Sequence, residues 1–107
     1  MRFDAFEVSL QTIHALRPLL ARLATQDPDL SSQAKRAASS ICLNLSEGNK
    51  RTGKDKIHHF RIASGSAAEV RAALRVAEAF GYLEPETLAP SLQLLDRVLA
   101  MLWRLTR

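Results

Sequence analysis

The residues best suited to chemistry lie in the middle of this 107-residue chain. Lys50, Arg51, Lys54, Lys56 and Arg61 fall within residues 50–61, with Asp55 the only acid among them. Cations at this density suit the neutralisation of a phosphate backbone, which is rewarded by release of condensed counterions. Arg71 and Arg75 carry the same charge further along the chain. Sequence-specific reading of bases is not expected, because the only aromatic of the segment, Phe60, falls at a core position and leaves no stacking platform. The plain counterpart is a solvated stretch that keeps the protein soluble.

The other reactive side chains do not assemble. The three histidines are His14, His58 and His59. Adjacent residues on a helix point about 100° apart, so His58 and His59 read as surface residues rather than a paired metal site. Asp55 and His59 could share an ion at i, i+4 spacing, but nothing nearby completes a shell. Cys42 has no histidine at motif spacing and reads as an inert thiol. One cysteine makes no internal disulfide, so the chain does not need an oxidising compartment. No Gly-rich loop follows a strand to cradle a phosphate. These residues lead to the expectation of no enzyme, no cofactor and no metal.

The elements that carry these residues are helices. Leu (17) and Ala (16) dominate, whereas Val and Ile together number 8, a balance that favours helix over strand. Three interruptions divide the chain: Thr25 to Asp29 with Pro28 at a first helical turn, Gly48 to Gly53, and Gly81 to Pro85. Thr52 and Asp55 have capping-box spacing. The reading is one domain over residues 1–107, an all-α, antiparallel up-down-up-down four-helix bundle with helices near 4–25, 29–48, 53–80 and 85–106. Pro18 is expected to kink the first helix, and Pro90 leaves open whether the fourth begins at Pro85 or near residue 89. Charge is uneven: residues 1–34 and 76–107 each sum to −1, whereas residues 35–75 sum to +6, giving the net +4. With no signal-peptide core and no apolar run near the ~18 residues of a span, a cytoplasmic protein with no membrane partner is expected.

Helical faces add detail. On the fourth helix Leu88, Leu92, Leu95, Leu99 and Leu102 form a core stripe, and Leu94, Val98, Met101 and Leu105 form a second one beside it. The first helix is also wide, with Phe6, Leu10, Ile13, Leu16, Leu19, Leu20 and Leu23. The surplus suggests self-association, with Leu94, Val98, Met101 and Leu105 as the oligomer surface. The second and third helices face each other with small residues, and Gly65 reads as a point of close backbone approach. A polar stripe, Gln33, Arg36, Ser40, Asn44 and Glu47, borders the second helix's core, matched by Ser66 and Glu69 on the third. An antiparallel hairpin brings Arg36 near Glu69, so an ion pair between them, with Asn44 bonded between the helices, is expected.

Two joined motifs carry a resemblance. Residues 33–48 read QAKRAASSICLNLSEG and residues 60–69 read FRIASGSAAE. They resemble the Q-xx-RA-xx-SI-xx-NIAEG and FL-x-A-x-GS-xx-E segments of the bacterial four-helix-bundle, or 23S rRNA intervening-sequence, proteins. Gly81-Tyr82-Leu83 is similar to that family's element before the last helix. Leu45-Ser46 stands in place of Ile-Ala, and Asn49-Lys50 occupies a variable linker. The resemblance implies an up-down bundle that in some members forms a ring-shaped pentamer. It makes Gln33, Arg36, Asn44, Glu47, Gly65, Ser66 and Glu69 signature positions. A similar group, the accessory variability determinants of diversity-generating retroelements, binds nucleic acid and a reverse transcriptase through a basic surface.

The functional expectation is a non-enzymatic homo-oligomer that binds RNA or DNA non-specifically, with Lys50, Arg51, Lys54, Lys56, Arg61, Arg71 and Arg75 as contacts. The competing expectation is an assembly or adaptor protein that binds another protein and has no nucleic-acid role.

Overall fold

The computed structural model describes residues 3–107. Four helices follow one another: α1 (Asp4–Gln26), α2 (Pro28–Asn49), α3 (Gly53–Ala79) and α4 (Pro85–Leu105). All-α architecture is what the Leu- and Ala-rich composition calls for, and each helix end lies within a residue of the expected one.

Local chemistry explains the breaks. Asp27 alone separates α1 from α2; its Oδ1 accepts from the Leu30 N–H at 3.0 Å and Pro28 takes the first helical position. At the end of α3 the Tyr82 N–H reaches the Ala77 carbonyl and the Gly81 N–H reaches that of Glu78. This Schellman closure needs a left-handed residue, and Gly81 supplies it at φ +79°. The Thr52–Asp55 capping box does not form: Thr52 makes no side-chain cap bond, and Asp55 is held by Arg51 instead. Neither internal proline ends a helix. Pro18 and Pro90 are both exposed, so the carbonyls that they leave without a donor lie on the solvent side, and α4 begins at Pro85.

The helices pack in the cyclic order α1–α2–α3–α4, each touching its two neighbours, in a body 42 × 22 × 21 Å. Leu16 and Leu23 of α1, Ile41 and Leu45 of α2, Leu74 of α3, and Leu88, Leu95 and Leu102 of α4 fill the centre. One end gathers the start of α1, the α2–α3 turn and the end of α4. Phe3 and Phe60 meet there with ring centroids 6.0 Å apart. At the other end Arg22 of α1 holds both carboxylate oxygens of Glu84, the residue that precedes α4, and Gln26 donates to the Tyr82 carbonyl. The Arg22 guanidinium, helped by a backbone bond, holds the Glu84 carboxyl down to about 2.

Two expectations about packing are corrected. The stripe Leu94, Val98, Met101 and Leu105 is not a free oligomer surface. Val98 is fully buried, Leu94 and Met101 pack against the core, and only Leu105 is exposed. The reason is that α4 lies between α1 and α3, and each neighbour covers one flank of a broad apolar arc. In α1 the fully enclosed positions of the first half are the small Ala5, Val8, Ser9 and Thr12, whereas Phe6 and Ile13 are only half-buried. Ser9 and Thr12 donate to the Phe6 and Val8 carbonyls, so their hydroxyls are satisfied within the helix.

The helical glycine that permits close packing is Gly48, not Gly65. A Cβ on Gly48 would lie 2.6 Å from Cε1 of Phe60, whereas one on Gly65 would meet nothing within 4 Å. Gly48→Ala is therefore expected to lower stability by about 1–3 kcal/mol through overpacking. Gly65→Ala should raise it by up to about 1 kcal/mol, because Ala is the better helix former. Chemical denaturation of the two variants tests this, and a destabilised Gly65→Ala would contradict it.

Candidate nucleic-acid interface

α2 and α3 form the most extensive helix pair, built on Ala34, Ala37 and Ala38 against Ala63, Ala67 and Ala77. Small side chains bring the axes close enough for short polar residues to reach across. The Ser66 hydroxyl donates to Oγ of Ser40 at 2.8 Å. The Asn44 amide donates to the Ser40 carbonyl and hydroxyl at 3.0 and 3.1 Å. Nδ1 of His59 lies 3.0 Å from Oδ1 of Asn44, so in its Nδ1–H form His59 donates there. This continuous chain links two helices at two heights and sets their register.

Its membership differs from the sequence reading. Asn44 and Ser66 take part as expected, but Arg36 and Glu69 are both exposed and make no ion pair among the described residues. Their backbone positions are opposed, yet both side chains leave the interface for water, where a long-chain ion pair offers little. His59, which reads as a surface residue in the sequence, is instead half-buried in the chain of bonds. Gln33 and Gly65 are exposed.

The α2–α3 turn divides the seven candidate cations into two groups. Arg51 is consumed: Nη2 lies 2.7 Å from Glu47 and Nη1 2.8 Å from Asp55. Hydrogen bonding and charge from Arg51 hold the Glu47 carboxyl below its ordinary value, with smaller help from the charges of Lys50 and His59. Arg71 stands 3.5 Å from Asp96, and Arg75 3.9 Å from Glu78. These two therefore extend the patch less than the sequence suggests.

Lys50, Lys54, Lys56 and Arg61 form the second group, with no ion-pair partner among the described residues. Three are exposed and Lys56 is half-buried. Lys54 lies in the first turn of α3, where the helix dipole is positive and a cation costs about 0.3–1 kcal/mol. An arrangement chosen for stability would place acids there. The only acid of that turn, Asp55, is already bound to Arg51.

Sequence reasoning missed the contribution of α4. Antiparallel packing returns its last turn to this same end, adding the exposed Arg104 and Arg107 and the exposed Trp103. Summed by sequence window, residues 76–107 are acidic, and that hides the effect. Pairing opposed positions on the third and fourth helices would have exposed it.

Elsewhere, an open groove of about 730 Å³ between α1 and α2 takes up the half-buried Ile13 and Leu20, with His14, Arg17 and Lys35 at its rim. Cys42 is buried, and burial pushes its thiol up, so it stays protonated at neutral pH.

A family model described as 23S rRNA-intervening sequence protein matches residues 4–104. The chain belongs to that family. The bundle of this chain is similar to that of a solved structure, a protein with unknown function from the S23 ribosomal protein family of Bacteroides thetaiotaomicron. That structure is 20% identical over 96% of this chain and 98% of its own, with a TM-score of 0.86. At that identity the likeness speaks for the fold alone. No curated protein matches the chain. No helix is long and apolar enough to cross a membrane among the described residues.

Asn44→Ala is expected to cost about 1–2 kcal/mol, because His59 and Ser40 lose partners in a half-buried interface. Arg36→Ala should change stability by no more than about 0.5 kcal/mol, as for an ordinary surface position. Equilibrium urea unfolding of both variants decides, and the reverse ranking would reinstate the buried ion pair.

Proposed function

We propose that the protein is a non-enzymatic, self-associating helical bundle that binds nucleic acid through phosphate contacts at the end where α2 turns into α3, largely without sequence preference. The observation that carries this reading is the group Lys50, Lys54, Lys56 and Arg61, cations without acidic partners among the described residues, set beside Arg104 and Arg107 at one end of the bundle. Phosphates would supply the missing counter-charges, and release of their counterions would supply the driving force.

Self-association is supported by a different surface from α4. Leu43 is 69% exposed on α2, Ile62 and Val76 are exposed on α3, and Phe80 is exposed just after it. Apolar groups this open on neighbouring helices suit contact with a further chain, and the resemblance suggests five copies. The same residues favour the second reading, an adaptor whose partner is another protein. In that case the basic end would be silent and substitutions at Leu43 and Ile62 the damaging ones.

Replacing Lys50, Lys54 and Arg61 together by Glu is expected to abolish binding to a fluorescent oligonucleotide while leaving particle mass unchanged. Wild-type affinity should fall about 10²-fold between ~50 and ~200 mM salt if four phosphates are neutralised. Fluorescence anisotropy with sedimentation measures both. Unaltered binding by the triple variant would move the site away from this end.

A further inference from the structure

Trp103 is the only tryptophan of the chain, and it is 65% exposed in the last turn of α4. Much of that helix's apolar surface is buried: Leu88, Leu95, Val98 and Leu102 are fully enclosed. Phe80 is the other large aromatic left in water among the described residues, but it lies at the far end, whereas Trp103 lies beside the cations. The Arg71–Asp96 contact shows which levels of α3 and α4 lie opposite each other. Two turns further along both helices, Trp103 comes opposite Ser64, with Arg61 one turn nearer the basic end and Lys54 about 15 Å along α3 from Ser64. The Arg107 guanidinium lies over the ring at 5.8 Å from its centroid. Arg107 covers one face of the indole, and the ring's high exposure leaves the other open to a planar, polarisable group.

An open π-face next to a row of unpaired cations is the combination that single-stranded nucleic acid requires. A duplex can use the cations, but its bases are stacked on one another and offer no face to the indole. We propose that this end of the bundle takes single-stranded nucleic acid in preference to duplex, with one unstacked base lying on Trp103 and the adjoining phosphates on Arg61, Lys54, Arg104 and Arg107. This rests on the phosphate-binding reading above and names the form of nucleic acid it takes. The aromatic comes from α4, some forty residues beyond the basic segment, so the segment by itself lacks a stacking platform.

The test uses the full chain, with tryptophan fluorescence read in wild type and the anisotropy of fluorescein-labelled strands read in wild type and in the variants, which hold no tryptophan. Oligouridine and oligothymidine strands and a duplex of equal length are titrated into wild type, Trp103→Phe and Trp103→Ala. The expected result is quenching by the single strands only. Single-strand affinity should fall about 5- to 150-fold in Trp103→Ala, the range for loss of one stacked base, and largely persist in Trp103→Phe, whereas duplex affinity stays unchanged in both. Equal binding of both forms, unaffected by Trp103→Ala, would overturn the stacking proposal and leave the phosphate reading standing. No binding of either form by wild type would overturn both. A changed particle mass in Trp103→Ala would assign the ring to a contact between chains and overturn the proposal as well.

Discussion

Phe60 lies against the bare backbone of Gly48, with no room for even a methyl group between them. The rest of the molecule depends on this contact. It draws the end of α2 onto the start of α3, so the two helices can be joined through Lys50, Arg51 and Thr52 alone. The short turn then crowds Lys50, Lys54 and Lys56 at one end of the bundle. It also brings Glu47 and Asp55 within reach of one guanidinium, and Arg51 pins both. The alanines along the pair allow the same proximity further up, where Ser40, Asn44, His59 and Ser66 exchange hydrogen bonds across the gap. Close packing and charge display at this end are two results of one geometric constraint.

The electrostatics of that end follow a division of labour. Arg51, Arg71 and Arg75 have carboxylates beside them and serve the bundle itself. Lys50, Lys54, Lys56 and Arg61 make no ion pair among the described residues, and Lys54 sits at the positive terminus of α3, where it opposes the dipole. Across the 42 Å length of the body, the far end is organised by the Arg22–Glu84 pair. The molecule therefore has a chemically distinct pole, with its only tryptophan at the edge.

Much of the fold was legible in the sequence because most of its punctuation is plain, although Pro90 left the start of the fourth helix open. Asp27-Pro28, Gly81 and Pro85 can each do little except end or begin a helix, and they do. What was not legible depends on how far a side chain reaches once its helix is placed. Helical periodicity put Val98 and Met101 on a spare stripe, because it does not reveal that α4 has a neighbour on each flank. It matched Arg36 with Glu69 correctly by position but could not show that both turn outward. The two helical glycines look alike in sequence; only the ring of Phe60 distinguishes Gly48 from Gly65. At the basic end, the lysines were visible as a run, whereas Trp103, Arg104 and Arg107 join them only through the antiparallel return of α4.

The most direct test of the central claim is a map of amide chemical-shift changes as a short single-stranded oligonucleotide is added to the isotopically labelled protein. The account predicts changes confined to residues 48–64 and 100–107, with residues 20–32 and 80–88 at the opposite end unaffected. Changes centred on the opposite end, or on the groove between α1 and α2, would contradict it.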